Sequence, residues 1–567
     1  MTDKLPVVFL WHMHQPEYRD PRDRVFQQPW TYLHAIKDYV DMAAHLERWP
    51  EARVVVNFVP ILLEQLEDYA GQIEQYRATG AVEALRDPVL KSLVEPEALA
   101  GVQRAEVLDA LQRANRERMV ERFPAFARLI AAAEALAATA TPGRYADDAF
   151  LADLSTWYHL AWCGETLRQN DELIASLLEQ EGGFSADARR ALLGVIGETI
   201  AGLFDRYRAL AERGQVELSM TPYAHPIVPL LQDLRAGTEC EPEAPQPRAT
   251  HYPGGEARAG WHIDHGRAVF RRLLGCEPAG CWPSEGAVSD ATVRLLDQAG
   301  FAWMASGQQV LRNSLNHARQ EVHCQHQAYR RGEAAIRLFF RDDGLSDRIG
   351  FDYQNWHADD AVADLVHHLV SIADNCAHLG VEAPVVPIIL DGENAWEHYP
   401  DNGFWLLDGL YKQLADHPRL EMTTFADFLS REPDTVTLRS LVAGSWVYGN
   451  LATWVGEGAK NRAWDRLFEA RQAYVEAEEQ DDWDAEAARR NAQQMAVCEG
   501  SDWFWWFDDA SPADAVRDFD RLFRLQLARL YELIGRPVPE VLDAPICVPT
   551  PDDAREKTVG TMRRGQA

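Results

Sequence analysis

The sequence is short of cysteine, of basic charge and of long apolar runs, and each shortage closes off a class of protein. Its eight cysteines are scattered from Cys163 to Cys547 with no C-x-x-C pair, which argues against a disulfide framework and a cysteine-type zinc site. Reduced thiols and a cytoplasmic protein are therefore expected. No apolar run approaches the roughly 20 residues that a membrane helix needs. The opening MTDKLPVVFLWHMHQP has one Lys and an apolar stretch, Val7 to Trp11, too short for a signal peptide and without a small-residue cleavage site. Lys and Arg number 56 against 88 Asp and Glu, a formal charge of -32, so nucleic-acid phosphates and anionic membranes are repelled. A neutral substrate feels no such repulsion.

What is present is core and flat aromatic surface. Of 567 residues 47% are hydrophobic, enough for at least one large core and two or three structural units. Eighteen tryptophans are a heavy load of rings; such rings can form platforms for sugars, although core packing is the commoner use.

Short apolar or β-branched runs recur at Val7 to Trp11, Arg53 to Val59, Val216 to Met220, Phe301 to Ala305, Ile336 to Phe340 and Val385 to Leu390, with helical patterns between them. Strands alternating with helices predict a mostly parallel sheet or barrel. The stretch from about Leu62 to Ala138 has helical periodicity, as does Asp148 to Glu212. Residues Cys240 to Arg258, dense in Pro, Gly and charge, predict a surface loop near the site. After about Asn402 long amphipathic patterns take over, and from Asp552 onward the chain is polar without periodicity, a tail expected to fray.

Three clusters can carry chemistry. His12 and His14 follow the first strand with strand spacing, so both imidazoles point to one side. They fit a metal pair lacking an obvious third ligand, a hydrogen-bonding pair for a polyhydroxyl substrate at a barrel's C-terminal rim, or side chains satisfied by backbone. Glu285, in CWPSEGAVSD, sits at the end of a strand before a helical pattern, where a barrel carries its active site; it also fits a plain helix start. In VVPIILDGENAWEHYPDNG a strand delivers Asp391 and Glu393, with Gly392 permitting a sharp exit. Those two acids fit acid/base work, oxygen ligation of Mg or Ca, or a helix cap. Glycoside hydrolysis needs one carboxylate at the anomeric carbon and one acid for the leaving oxygen.

HQP at 14–16, GQVEL at 214–218 followed by PYAHPIVPLL, WPSE at 282–285, DGEN at 391–394 and EGSDWFWW at 499–506 resemble, in order, the five sequence regions of glycoside hydrolase family 57. The resemblance covers nearly the whole chain. It implies an α/β fold: a (β/α)7, distorted TIM-like barrel over 1–401 with a helical insertion around 62–150, then a C-terminal helical-bundle domain over 402–551 that closes one side of the active site, and a tail at 552–567. It implies retention of α-configuration on an α-glucan or maltooligosaccharide, with Glu285 as nucleophile and Asp391 as general acid/base. His14, Glu217, Trp282, Glu393 and Asp502 would line the sugar subsite, with His12 and Trp505 as near neighbours.

The stretch Gly444 to Leu467 resembles the amylase and amylopullulanase branch, and there Trp446 and Trp454 offer either stacking surfaces or helix packing. Trp396, beside the two acids, is a further candidate for contact with sugar. The Asp cluster in FFRDDGLSDRIGFDYQNW fits a calcium site in isolation, but no metal or cofactor is expected. The long Pro-rich loop after Leu231 departs from the family pattern. The rival readings are a 4-α-glucanotransferase or branching enzyme using the same machinery, a zinc-dependent carbohydrate deacetylase built on His12, His14 and Asp391, and a glucan-binding protein without turnover.

Overall fold

The structure, a computed structural model, describes residues 4–139, 141–393, 395–508 and 511–548. Asn394 of the DGEN motif and the tail from 552 lie outside the described residues.

Ten strands form one sheet. They are β1 (Leu5–Met13), β2 (Val54–Phe58), β3 (Val216–Met220), β4 (Gly280–Cys281), β5 (Trp303–Gly307), β6 (Ala328–Arg331), β7 (Arg337–Arg341), β8 (Val386–Asp391), β9 (Leu420–Met422) and β10 (Thr435–Leu438). The order across the sheet is β10, β6, β7, β5, β4, β3, β2, β1, β8, with β9 also paired to β1. Every pairing is parallel except that of β6 with β7. All nine residues of β1 and all five of β2 are buried. Strands covered on both faces need apolar side chains throughout, so they stand out as continuous runs in the sequence.

Seven of these strands, β1 to β5 with β7 and β8, curl into the (β/α)7 barrel. The seam between β7 and β8 closes without a ladder: the Asp342 amide donates to Pro387 O at 2.8 Å, and Arg341 Nε donates to Ile389 O at 2.7 Å. Strand β4 is only two residues long because it runs beneath an indole. A Cβ on Gly280 would lie 1.8 Å from the Trp303 ring, so only glycine lets the strands meet there.

The helical excursion after β2 begins with Pro60–Thr79, opened by a proline at its first position and closed by Gly80 at φ +67°, the expected asymmetry of helix ends. It continues through Pro88–Val94, Gly101–Ala110, Pro124–Ala137 and Asp148–Trp162 to the long helix Ala186–Glu212. Beyond residue 402 the chain does not leave the sheet at once. Helix Phe404–Ala415 packs on Ala358–Leu379, and β9 and β10 rejoin the sheet. Long helices without strands begin at Gly458–Gln480 and go on through Ala485–Cys498 and Ala513–Leu533, with Trp464 stacked on Phe504 and Phe523 tilted against Phe504 among them.

A buried ionic clamp fastens this helical region to the barrel. Glu499 accepts from Arg258 Nη2 at 2.7 Å, the Tyr252 hydroxyl at 2.8 Å and His262 Nε2 at 2.8 Å. Burial opposes its charge, but Arg258 with His262 prevails and holds the carboxyl far below its ordinary range. The stretch 240–258, expected as a loop near the site, is irregular to Gly254 and then enters helix Gly255–Leu274. It lies away from the cleft, bracing the 443–450 loop through Cys240 and Glu241.

Candidate active site

The C-terminal ends of the barrel strands open into one cleft of about 1610 Å³, larger than the ~300–1,000 Å³ of an ordinary small-molecule pocket. Glu285, Asp391, His12, His14, Glu393, Asp502, Trp446 and Trp505 all line it. The two carboxylates come from opposite parts of the sequence, after β4 and at the last residue of β8.

Glu285 sits in a single 3-10 turn, Ser284–Gly286, at φ 57° and ψ 22°. A non-glycine residue there costs about 1–2 kcal/mol, so its neighbours must hold it. The Trp446 amide donates to Glu285 O at 3.1 Å and Ser306 Oγ donates to Gly286 O at 2.6 Å. The Trp446 indole donates to Glu285 Oε2 at 2.8 Å, and His225 Nδ1 stands 4.0 Å from Oε1. Trp446 is itself covered by the Arg341 guanidinium, 5.1 Å above the ring. The Glu285 side chain keeps 17% exposure. Burial first, then the charge of Asp391 and that of Asp502, push its carboxyl up to about 8, against the lowering pull of the Trp446 indole. Burial and the two neighbouring acids thus favour the protonated form of Glu285.

Asp391 pairs in register with His12 across β8 and β1, so the acid and the imidazole leave the barrel side by side. Gly392 does not need a left-handed backbone, contrary to the expectation of a sharp exit. Its reason is close approach, since a Cβ there would lie 2.4 Å from Met13 Sδ. Glu393 turns inward, accepting from Gln15 Nε2 at 2.9 Å and from the His14 amide at 3.4 Å. Burial raises its carboxyl well above the ordinary range, opposed by the Tyr39 hydroxyl and reinforced by Asp391. Burial thus favours its protonated form.

Three imidazoles form a stack on the cleft floor. The His14 and His225 rings are 3.9 Å apart, and His12 and His225 are 5.4 Å apart. His12 bonds Asn57 Oδ1 at 2.7 Å, and burial followed by repulsion from His14 lowers its pKa to about 3 despite Asn57. Burial, with the neighbouring histidines, lowers His225 as well. His14 Nε2 meets Asp502 Oδ1 at 2.9 Å. Asp502 arrives because Ser501 hooks onto His225 through its amide, 3.0 Å, and its hydroxyl, 2.8 Å. The helical region therefore places an acid in the barrel's cleft.

Four expected subsite residues do not line the cleft. Glu217 lies near the start of β3, not its end, accepting from Trp303 Nε1 at 2.5 Å and the Ala426 amide at 2.8 Å. Strand alternation fixes its face but not its height in the barrel. Trp282 is fully buried behind Glu285, its ring 5.2 Å from that of Trp446. Trp396 is buried against Trp11 and donates to Gly392 O at 2.9 Å, bracing the turn after β8. Trp454 is buried beneath Trp505, so packing wins there over stacking.

The aspartates after β7 form an ion-pair network. Arg341 spans Asp343 at 2.9 Å and Asp347 at 2.7 Å, while Asp342 bonds His326 at 2.8 Å. The trio a zinc deacetylase would need is not assembled as expected: among the described residues at the cleft, the groups within ligating reach of one another are His14, His225 and Asp502, and His12 is turned onto Asn57. Sequence reasoning passed over His225, Gln15 and Arg341. His225 does lie within the PYAHPIVPLL stretch, but at φ 59°, outside any strand or helix whose period would aim its side chain.

A parallel barrel with two carboxylates lining one cleft at its C-terminal rim is an arrangement that glycoside hydrolysis can use. A family model for glycosyl hydrolase family 57 matches residues 8–440, and the chain belongs to that family. No curated protein matches by sequence. Among solved structures, it is similar to the branching enzyme of Pyrococcus horikoshii at 16% identity, with TM-score 0.57 and 96% of this chain and 97% of that chain covered. It is similar also to the branching enzyme of Thermococcus kodakaraensis at 13% identity, TM-score 0.57, covering 93% and 90%. The α-amylase AmyC of Thermotoga maritima shares 12% identity at TM-score 0.56, covering 95% and 96%. At these identities the likeness is one of fold.

Proposed function

We propose that the protein is a retaining, amylase-type hydrolase of α-glucans, with Glu285 as nucleophile and Asp391 as general acid/base. The observation that carries this reading is the meeting of these two acids in one cleft, close enough for the charge of Asp391 to raise Glu285. The reaction needs one proton on the pair; burial and the charge of Asp391 favour that proton on Glu285 before a glucan binds, so it passes from Glu285 to Asp391 as the glucan seats. When a glucan binds, the glycosidic oxygen accepts that proton from Asp391 as the bond to the anomeric carbon breaks. Glu285, its Oε2 fixed by the Trp446 indole, attacks the same carbon to give a covalent glycosyl-enzyme. Asp391 then takes a proton from water, whose oxygen attacks the anomeric carbon and releases Glu285.

His12, a neutral imidazole, and Glu393, whose protonated form burial favours, suit hydrogen bonds to uncharged hydroxyls, while Trp446 and Trp505 offer ring faces along the cleft. The Gly444 to Leu467 stretch supports the amylase branch.

The test is incubation with maltoheptaose, pullulan and glycogen and resolution of the products. Hydrolysis gives only chains shorter than the donor; chains longer than the donor would make the enzyme a transferase instead. Glu285→Gln should lower kcat by ~10⁴-fold or more while glucan binding stays within several-fold. Unchanged turnover in that variant would remove Glu285 from the mechanism.

A further inference from the structure

Beside the seam where β7 meets β8 lie three soft ligands that the glycosidase reading does not use. Cys324 and His326 stand in the loop before β6, and Cys376 in the last turn of helix Ala358–Leu379. Cys324 Sγ is 3.4 Å from Cys376 Sγ and 3.9 Å from His326 Nδ1, and the three ligand atoms lie within 4.8 Å of one another. Tetrahedral zinc, with Zn–S about 2.3 Å and Zn–N about 2.0 Å, sets S–S at about 3.8 Å and S–N at about 3.5 Å. The two separations from Cys324 match such a tetrahedron's edges to within about 0.4 Å, and the third lies within 4.8 Å.

The surroundings suit a metal better than a disulfide. Both sulfurs are buried. On the far side of the imidazole, His326 Nε2 is bonded to Asp342 Oδ2 at 2.8 Å, and Asp342 is itself fixed by accepting from the Leu345 amide at 2.9 Å. A carboxylate behind a histidine leaves the lone pair on the other nitrogen, here Nδ1, facing the sulfurs, and raises its basicity as a ligand. A disulfide has no use for that arrangement. Two thiolates and a neutral imidazole around a divalent ion also leave no net charge in a buried place.

We propose that Cys324, His326 and Cys376 bind one zinc ion, with Asp342 as the positioning residue behind His326. Zinc displaces the two thiol protons on binding, and a water completes the tetrahedron. The ion joins the loop before β6 to helix Ala358–Leu379 and, through His326 and Asp342, to the end of β7. It therefore staples the seam that has no ladder, next to a cleft wall that includes Gln325 and Asp342. Zinc is favoured over magnesium or calcium because two of the three ligands are thiolates.

The full-length protein, reduced and stripped with a strong chelator, is titrated with zinc alone against a competing chromophoric chelator, and separately with cobalt(II). The expected results are one zinc per chain with sub-micromolar affinity, a thiolate-to-cobalt charge-transfer band, and a higher Tm with zinc than without. Cys376→Ser should weaken zinc by about 100-fold or more and Asp342→Asn by about 10- to 100-fold. Should the serine variant fold poorly, the titration of the unaltered chain decides alone. Zinc held no tighter than about 0.1 mM, an affinity unchanged in folded Cys376→Ser, or a Cys324 to Cys376 disulfide trapped in acid-quenched cells would each overturn the proposal.

Discussion

Trp446 holds the Glu285 carboxylate from a position that the sequence offered as a stacking surface or as helix packing. Its indole N–H stabilises the carboxylate, so removing that donor raises the Glu285 carboxyl above about 8. Activity needs one proton on the pair and is lost as pH rises through that value. Trp446→Phe keeps a ring under Arg341 but deletes the donor, and is expected to move the alkaline limb of kcat to higher pH and lower kcat by roughly tenfold. A pH–rate profile checks both. An alkaline limb unmoved in the variant would mean that the indole does not control the carboxylate.

The same residue scale carries a stability prediction. A carboxyl raised from its ordinary 4.5 to about 8 binds its proton more tightly in the folded chain. Between those values the folded state holds more protons than the unfolded, so stability falls as pH rises across that window. Glu285→Gln cannot ionise and should therefore raise Tm at pH 8 and above by a few degrees, with little change near pH 4. Thermal melts of both chains at the two pH values test this, with partial exposure of the side chain reducing the size of the gain.

At the scale of elements, two short segments tie the helical region to the barrel beside the cleft: Ser501 to His225, and Glu499 to Arg258 and His262. Removing one member of a buried ion pair strands the other, at a cost of about 3–5 kcal/mol. Glu499→Gln should lower stability by that order in denaturant melts. It should also weaken substrate binding, because Asp502 is three residues further on; a loss of stability under about 1 kcal/mol would show that the clamp is not what holds the region.

Elements were legible in the sequence to the extent that burial on both faces wrote them as apolar runs. β1, β2, β3, β5, β7 and β8 fall within two residues of expectation at most ends. β4 is visible only through its WPSE motif, because two residues carry no period. β6, β9 and β10 are short or polar, and were missed. The site divides in the same way. Glu285, Asp391, His12, His14, Glu393, Asp502 and Trp505 reach one cleft, whereas Glu217, Trp282, Trp396 and Trp454 sit in the packing behind it, since spacing gives a face but neither depth nor height. The Cys324, His326 and Cys376 cluster was invisible for a related reason: one of its three members comes from a helix some fifty residues away, and the scattered cysteines spoke against a cysteine-type zinc site.

On the scale of the whole molecule, a formal charge of -32 surrounds a cleft whose proposed substrate is neutral. Long-range steering then has nothing to act on, and salt screens only protein self-repulsion. KM for maltoheptaose is expected to change less than about twofold between roughly 0.02 and 0.5 M NaCl. A steep salt dependence would point to a charged substrate.

The assignment of Glu285 and Asp391 is tested most directly by azide rescue with α-glucosyl fluoride as donor. In Glu285→Gly, azide occupies the space of the missing nucleophile and is predicted to give β-glucosyl azide. In Asp391→Gly, azide intercepts the glycosyl-enzyme and is predicted to give the α-anomer. Proton NMR of the two products distinguishes the anomers. Exchanged anomers, or no glycosyl azide from either variant, would contradict the mechanism.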